Sequence, residues 1–98
     1  TIVSALGFEN LLDQLKVIEA AKKVKSIKRF IPSEYGYDII SIKDDPLMIP
    51  SKMVLESIKE AELDYTIICC GGFYEFLTSE MFGLNLEKGE ADLTGTGD

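Results

Sequence analysis

The chain has 98 residues, 46% of them hydrophobic and 28% charged, with ten basic against seventeen acidic side chains and a net charge of −7. That length fits one domain or a piece of one, and the composition is that of an ordinary soluble globular protein. The acidic balance argues against nucleic acid and anionic membrane as partners, and no apolar run approaches the roughly 20 residues of a membrane span. No basic leader with a long apolar core opens the sequence, so a cytoplasmic location is expected. Histidine is absent, which excludes zinc-type sites and histidine-based proton transfer from this chain, and no metal site is expected.

Taken in order, residues 1–6 (TIVSAL) are β-branched and apolar without alternation, the pattern of a parallel strand covered on both faces, and Gly7 closes the run. From Asn10 to about Val24 the residues Leu11, Leu12, Leu15, Ile18 and Ala21 recur at helical spacing. Asp13, Gln14, Lys16, Lys22 and Lys23 are assigned to the opposite side, with Asn10 as the cap. Ile27–Ile31 reads as a second strand, completing a strand-helix-strand unit of the kind that is parallel and right-handed.

Pro32 cannot donate to a sheet ladder, so the chain leaves the strand and presents Ser33, Glu34 and Tyr35 at its carboxyl end. Ligands bind at that end in open α/β sheets, which makes these residues site candidates; a solvated turn is the competing role. Residues 37–50 lack a sustained period and predict an irregular loop. Ser51 is the expected cap of a second helix reaching Glu62, with Met53, Val54, Ile58 and Ala61 buried. Tyr65–Cys70 reads as a third strand ended by Gly71-Gly72, with the adjacent Cys69 and Cys70 as buried, reduced thiols. A third helix is expected from Phe73 to about Leu84, then a polar tail with at most a short strand near Ala91–Thr94.

The pattern predicts an α/β fold, a Rossmann-type parallel sheet of three strands alternating with helices. Three strands expose donors and acceptors at both edges, and the sequence has no GxGxxG or GxxGxxG turn to cradle a pyrophosphate. Residues 1–98 therefore read as a partial, doubly wound domain lacking its first strands, with no second domain.

Five stretches resemble the isoflavone reductase-like and NmrA-like branch of the atypical short-chain dehydrogenases. TIVSALG at residues 1–7 is similar to that family's strand and glycine turn beside the cofactor, and LLDQLKVIEAAKK at 11–23 to its following helix. KRFIPSEYGYD at 28–38 resembles its signature, SKMVLESIKEAELDYTII at 51–68 its lysine-bearing helix and next strand, and residues 95–98 its GDGN-like turn. The resemblance implies the middle portion of an NADPH-binding domain in an oxidoreductase that transfers hydride to a small organic substrate. A GxxGxxG loop is expected about 70–80 residues upstream of Thr1 from the topology of such domains.

The same resemblance implies that Lys52 is catalytic, as proton donor or orienting group, and that it also touches the cofactor. Ser4, Ala5 and Leu6 would line the cofactor by backbone approach, Pro32, Ser33 and Glu34 would flank the nicotinamide, and Phe73 would lie against it. From the residues alone, Lys52 has a competing role as an exposed partner of Glu56, and Phe73 as plain core. Tyr35 and Tyr37 lack the YxxxK spacing of ordinary short-chain dehydrogenases.

Glu56 stands where plant-type reductases of the family carry an arginine, which argues against lignan or isoflavonoid substrates, and Gly71 stands in place of a family asparagine. The alternatives are a dinucleotide-sensing regulator without turnover and an inactive truncated product. The expected partner is a small-molecule substrate, with homodimerisation of the parent protein open; the 98 residues by themselves are expected to be inactive and not to bind NADPH tightly.

Overall fold

The computed structural model describes residues 1–80, 83–92 and 95–96. Its centre is a parallel sheet of β1 (Ile2–Val3), β2 (Arg29–Ile31) and β3 (Asp64–Tyr65) in that spatial order. Ile2 is in register with Phe30 and Val3 with Ile31, while Arg29 faces Asp64 and Phe30 faces Tyr65. The crossovers are helical: a 3-10 segment, Phe8–Asp13, leads into α1 (Gln14–Lys22), and a second, Pro46–Met48, leads into α2 (Ile49–Glu60). This is a Rossmann-like α/β arrangement, as the alternation of apolar runs and amphipathic stretches predicts.

Both helices serve one face of the sheet. Ile18 and Ala21 of α1 and Val54 and Ile58 of α2 close over Phe30 and Leu63, with Ile2, Leu15, Ile27 and Ala61 packed at the margin. Phe30, centred in the sheet, has no exposed surface. Each such side chain contributes about 1.5–3 kcal/mol by leaving water, so this cluster supplies much of the drive to fold.

Several local expectations are corrected. The first strand is two residues long: Ser4 N–H still donates to Ile31 O at 2.9 Å, but beyond it side chains of the β2 exit, described below, take Ser4 O and both backbone polar groups of Leu6 in place of a ladder. It is not covered on both faces: Val3 is 61% exposed. The third strand is equally short, because β2 runs into Pro32 and offers no N–H there; Thr66 N–H donates to Phe30 O at 3.3 Å and the regular pairing ends. Cys69 and Cys70 lie beyond that point, and both are exposed free thiols.

Asn10 does not cap α1 but sits at a kink inside the 3-10 segment, whose capping residue is Gly7. Ser51 is not a cap either. Asp45 accepts from Leu47 N–H at 2.9 Å and Pro46 starts the turn, so the helical path begins ahead of Ser51, which lies buried inside α2. Met53 faces solvent and Leu55 is buried in its stead.

A third helix does form, but α3 covers only Tyr74–Leu77. A hairpin of β4 (Leu84–Asn85) and β5 (Glu90–Ala91) follows, so the expected strand near Ala91 begins at Glu90; Met81, Phe82, Leu93, Thr94, Gly97 and Asp98 lie outside the described residues. Gly83 takes φ +80 in this hairpin, and a Cβ there would stand 2.5 Å from Asp92 O, so only glycine fits without rearrangement. Among the described residues, no helix is long and apolar enough to cross a membrane.

Candidate functional site

At the carboxyl ends of β1 and β2 two turns are tied together by side chains. Ser33 Oγ donates to Leu6 O at 2.7 Å and accepts from Leu6 N–H at 3.0 Å, and the Tyr35 hydroxyl donates to Ser4 O at 2.7 Å. The Ser33 N–H is held in turn by Gln14, whose Oε1 accepts from it at 2.8 Å while its Nε2 donates to Leu11 O at 3.0 Å. Gln14 is fully buried, contrary to its assignment to the polar side of the helix. Its spacing carried the signal: Gln14 lies three residues after Leu11 and four before Ile18, on the buried face.

These turns wall a cavity of about 480 Å³. Its lining is mostly apolar and aromatic, including Phe8, Leu11, Tyr35, Ile39, Met48 and Phe73. Glu34 and Ser51 also line it, exposed by only 6% and 4%. Burial pushes the Glu34 carboxyl above the ordinary glutamate range, and the adjacent Ser51 hydroxyl offsets part of that rise. Glu34 Oε1 is a fully buried atom without a hydrogen-bond partner.

The turn residues singled out from sequence thus divide. Leu6, Ser33 and Glu34 line the cavity together; Ser4 joins them through its carbonyl, and Pro32 is buried beneath them. Ala5 is exposed in the same turn. Phe73 reaches the cavity from the chain after β3 and is 51% exposed, so it is not plain core.

Lys52 stands apart. Its ammonium donates to the Lys43 carbonyl of the preceding loop, and it lines a shallow groove with Met53, Glu56 and Ser57 on the far side of α2 from Ser51. Nor does it pair with Glu56, which takes Lys59 at 2.9 Å instead. Gly71 adopts φ +74, a conformation glycine takes freely.

A parallel sheet with helical crossovers and a cavity outside the carboxyl ends of its strands defines the Rossmann-like class of small-molecule-binding α/β folds. The chain resembles solved structures of that class. The binary complex of leucoanthocyanidin reductase with NADPH from Vitis vinifera superposes with a TM-score of 0.65 at 35% identity, over 71% of this chain and 24% of that one.

Among sequences, a leucoanthocyanidin reductase of Desmodium uncinatum is 39% identical over 75 residues, 70% of this chain and 19% of that protein. An isoflavone reductase homolog of Nicotiana glauca is 30% identical over 95 residues, 93% of this chain and 31% of that protein. No protein-family model matches the chain. Over most of its own length the chain is similar to isoflavone reductase-like reductases. It spans between 19% and 31% of the lengths of these relatives.

Proposed function

We propose that residues 1–98 form part of the dinucleotide-binding domain of an NADPH-dependent reductase that passes hydride to a small organic substrate. The observation that carries this reading is the cavity at the strand ends, walled by two turns locked through Ser33 and Tyr35. Its residues suit the nicotinamide end of the cofactor: apolar and aromatic walls exclude water, and Glu34 and Ser51 offer polar atoms at the base. Leu6, Ser33, Glu34 and Phe73 would border the ring, with Ser4, Ala5 and Pro32 shaping the turns behind them. No phosphate loop occurs in these residues, and none of them is assigned to the pyrophosphate.

When bound, the cofactor supplies the hydride. The task of this chain is then to orient the substrate in a dry cleft and to provide a proton. Lys52, one residue after the cavity-lining Ser51, is the candidate for the proton step; a change of side-chain rotamer that releases the Lys43 carbonyl would be required.

In the full-length protein, NADPH oxidation with a panel of carbonyl, enone and phenolic-ether substrates should fall at least 100-fold in Lys52→Ala, the low end of the range for general acid/base groups. Unchanged turnover would remove Lys52 from the mechanism. The turning of Lys52 away from the cavity favours a second reading, a dinucleotide-binding regulator without turnover. Saturable NADPH binding with no oxidation across the same panel would select it.

A further inference from the structure

Cys69 and Cys70 are neighbours in the chain, and both are exposed free thiols. Their segment, residues 66–73, lies outside any regular strand or helix and contains Gly71 at φ +74 followed by Gly72, so its backbone has freedom to change course. Two backbone bonds hold it: Cys70 N–H donates to Tyr35 O at 3.2 Å and Gly71 N–H to Gly36 O at 3.0 Å. Two residues beyond Gly71, Phe73 reaches the cavity wall. A trans peptide holds consecutive Cα atoms about 3.8 Å apart, closer than the roughly 4.4–6.8 Å of ordinary disulfides. A disulfide between neighbours therefore closes a small, strained ring, and strained or exposed disulfides are the readily reduced, regulatory kind.

We propose that Cys69 and Cys70 form a reversible, peroxide-driven thiol switch that loosens the segment leading to Phe73. One cysteine sulfur attacks hydrogen peroxide; the O–O bond breaks, and a sulfenic acid and one water form. The neighbouring sulfur then attacks the sulfenic sulfur, the S–OH bond breaks, and a second water leaves as the S–S bond forms. Two electrons pass from the sulfurs to the peroxide, and the two thiol protons leave in the waters. A small-molecule thiol reverses the change by exchange and is itself oxidised to its disulfide. The peptide unit between Cys69 and Cys70 is part of the new ring, and its N–H is the donor to Tyr35 O. Ring closure turns that peptide and withdraws the donor, so the segment loses one of its two ties to the Tyr35–Gly36 turn. The switch acts from outside the cavity and holds for the reductase and the regulator readings alike.

The full-length protein is treated with a slight molar excess of hydrogen peroxide and digested without reduction, and the peptide carrying residues 69–70 is weighed. That peptide should be lighter by two hydrogens, resist alkylation by iodoacetamide, and regain both thiols with glutathione. Cys69→Ser and Cys70→Ser should each block the ring and leave the remaining cysteine as an oxidised acid. In the wild type, hydrogen exchange at the Cys70 amide, followed by NMR, should quicken at least about fivefold on oxidation, the value of one lost backbone hydrogen bond, and slow again on reduction. Two thiols still open to alkylation after peroxide, pairing of either cysteine with a different one, or oxidation past the sulfenic acid without a disulfide overturns the proposal. A disulfide that leaves Cys70 exchange unchanged overturns it as well. The wild-type measurements are independent of how either variant folds.

Discussion

The two faces of the three-stranded sheet differ sharply. Toward α1 and α2, Phe30 is wholly enclosed by Ile18, Ala21, Val54 and Ile58. On the opposite face the same strands present Val3, largely exposed, and a polar row in which Arg29 reaches Thr66 at 2.6 Å and Asp64 at 3.8 Å. Parallel sheets ordinarily bury both faces, so the covered face holds the fold together while the open one retains room for a further layer. The cavity lies at the strand ends, where the ordered side of the sheet runs into its turns.

The largest expected effect is on the covered face. Phe30→Ala should lower unfolding free energy by about 3–5 kcal/mol, measured by urea denaturation, because the hole it leaves is surrounded by elements that cannot collapse into it. Gln14→Leu should cost about 1–3 kcal/mol in the same assay, by orphaning the Ser33 N–H. An effect near zero would mean that Gln14 is not what holds the turn.

A smaller effect concerns pH. The Glu34 carboxyl has a raised pKa in the folded state, so folding favours its protonated form. Its contribution to stability is complete below the unfolded value of about 4.3 and is lost as pH rises through the higher folded value. Wild type should therefore lose stability relative to Glu34→Gln on going upward from about pH 4.3, and parallel pH profiles for the two proteins would contradict the burial assignment.

The smallest effect belongs to the open face. Val3→Thr should change the stability of the 98-residue chain by no more than about 0.5 kcal/mol. A loss comparable to that of Phe30→Ala would erase the contrast between the faces.

Much of this architecture was legible in the residues. The helical spacing of Leu15, Ile18 and Ala21, and of Val54 and Ile58, marks the two helices, and the β-branched runs between them mark parallel strands. The exit at Pro32 marks the end of the sheet beside which the cavity lies, because proline has no N–H to give to the next rung of the β2–β3 ladder. Less legible were residues whose role is set by a distant partner. Gln14 is polar by type; its spacing places it on the buried face of its helix, but the partner that satisfies it there, the Ser33 N–H 19 positions later, is supplied by the fold. Cys69 and Cys70 sit in an apolar run, yet both are exposed, and the segment is held by backbone bonds from Cys70 N–H to Tyr35 O at 3.2 Å and from Gly71 N–H to Gly36 O at 3.0 Å, which no spacing within the run announces.

Local pattern and backbone chemistry thus determined the order of elements, the parallel pairing and the end of the sheet at which a ligand would bind, since these depend on spacing and on proline alone. Tertiary structure decided which polar groups meet: Ser33 with Leu6 and Gln14, Tyr35 with Ser4, Ser51 with Glu34, and Lys52 with the Lys43 carbonyl rather than the cavity. Hydrogen-bond satisfaction of buried groups is a property of the assembled fold, fixed by contacts between residues far apart in the chain, and no spacing rule within one element contains it.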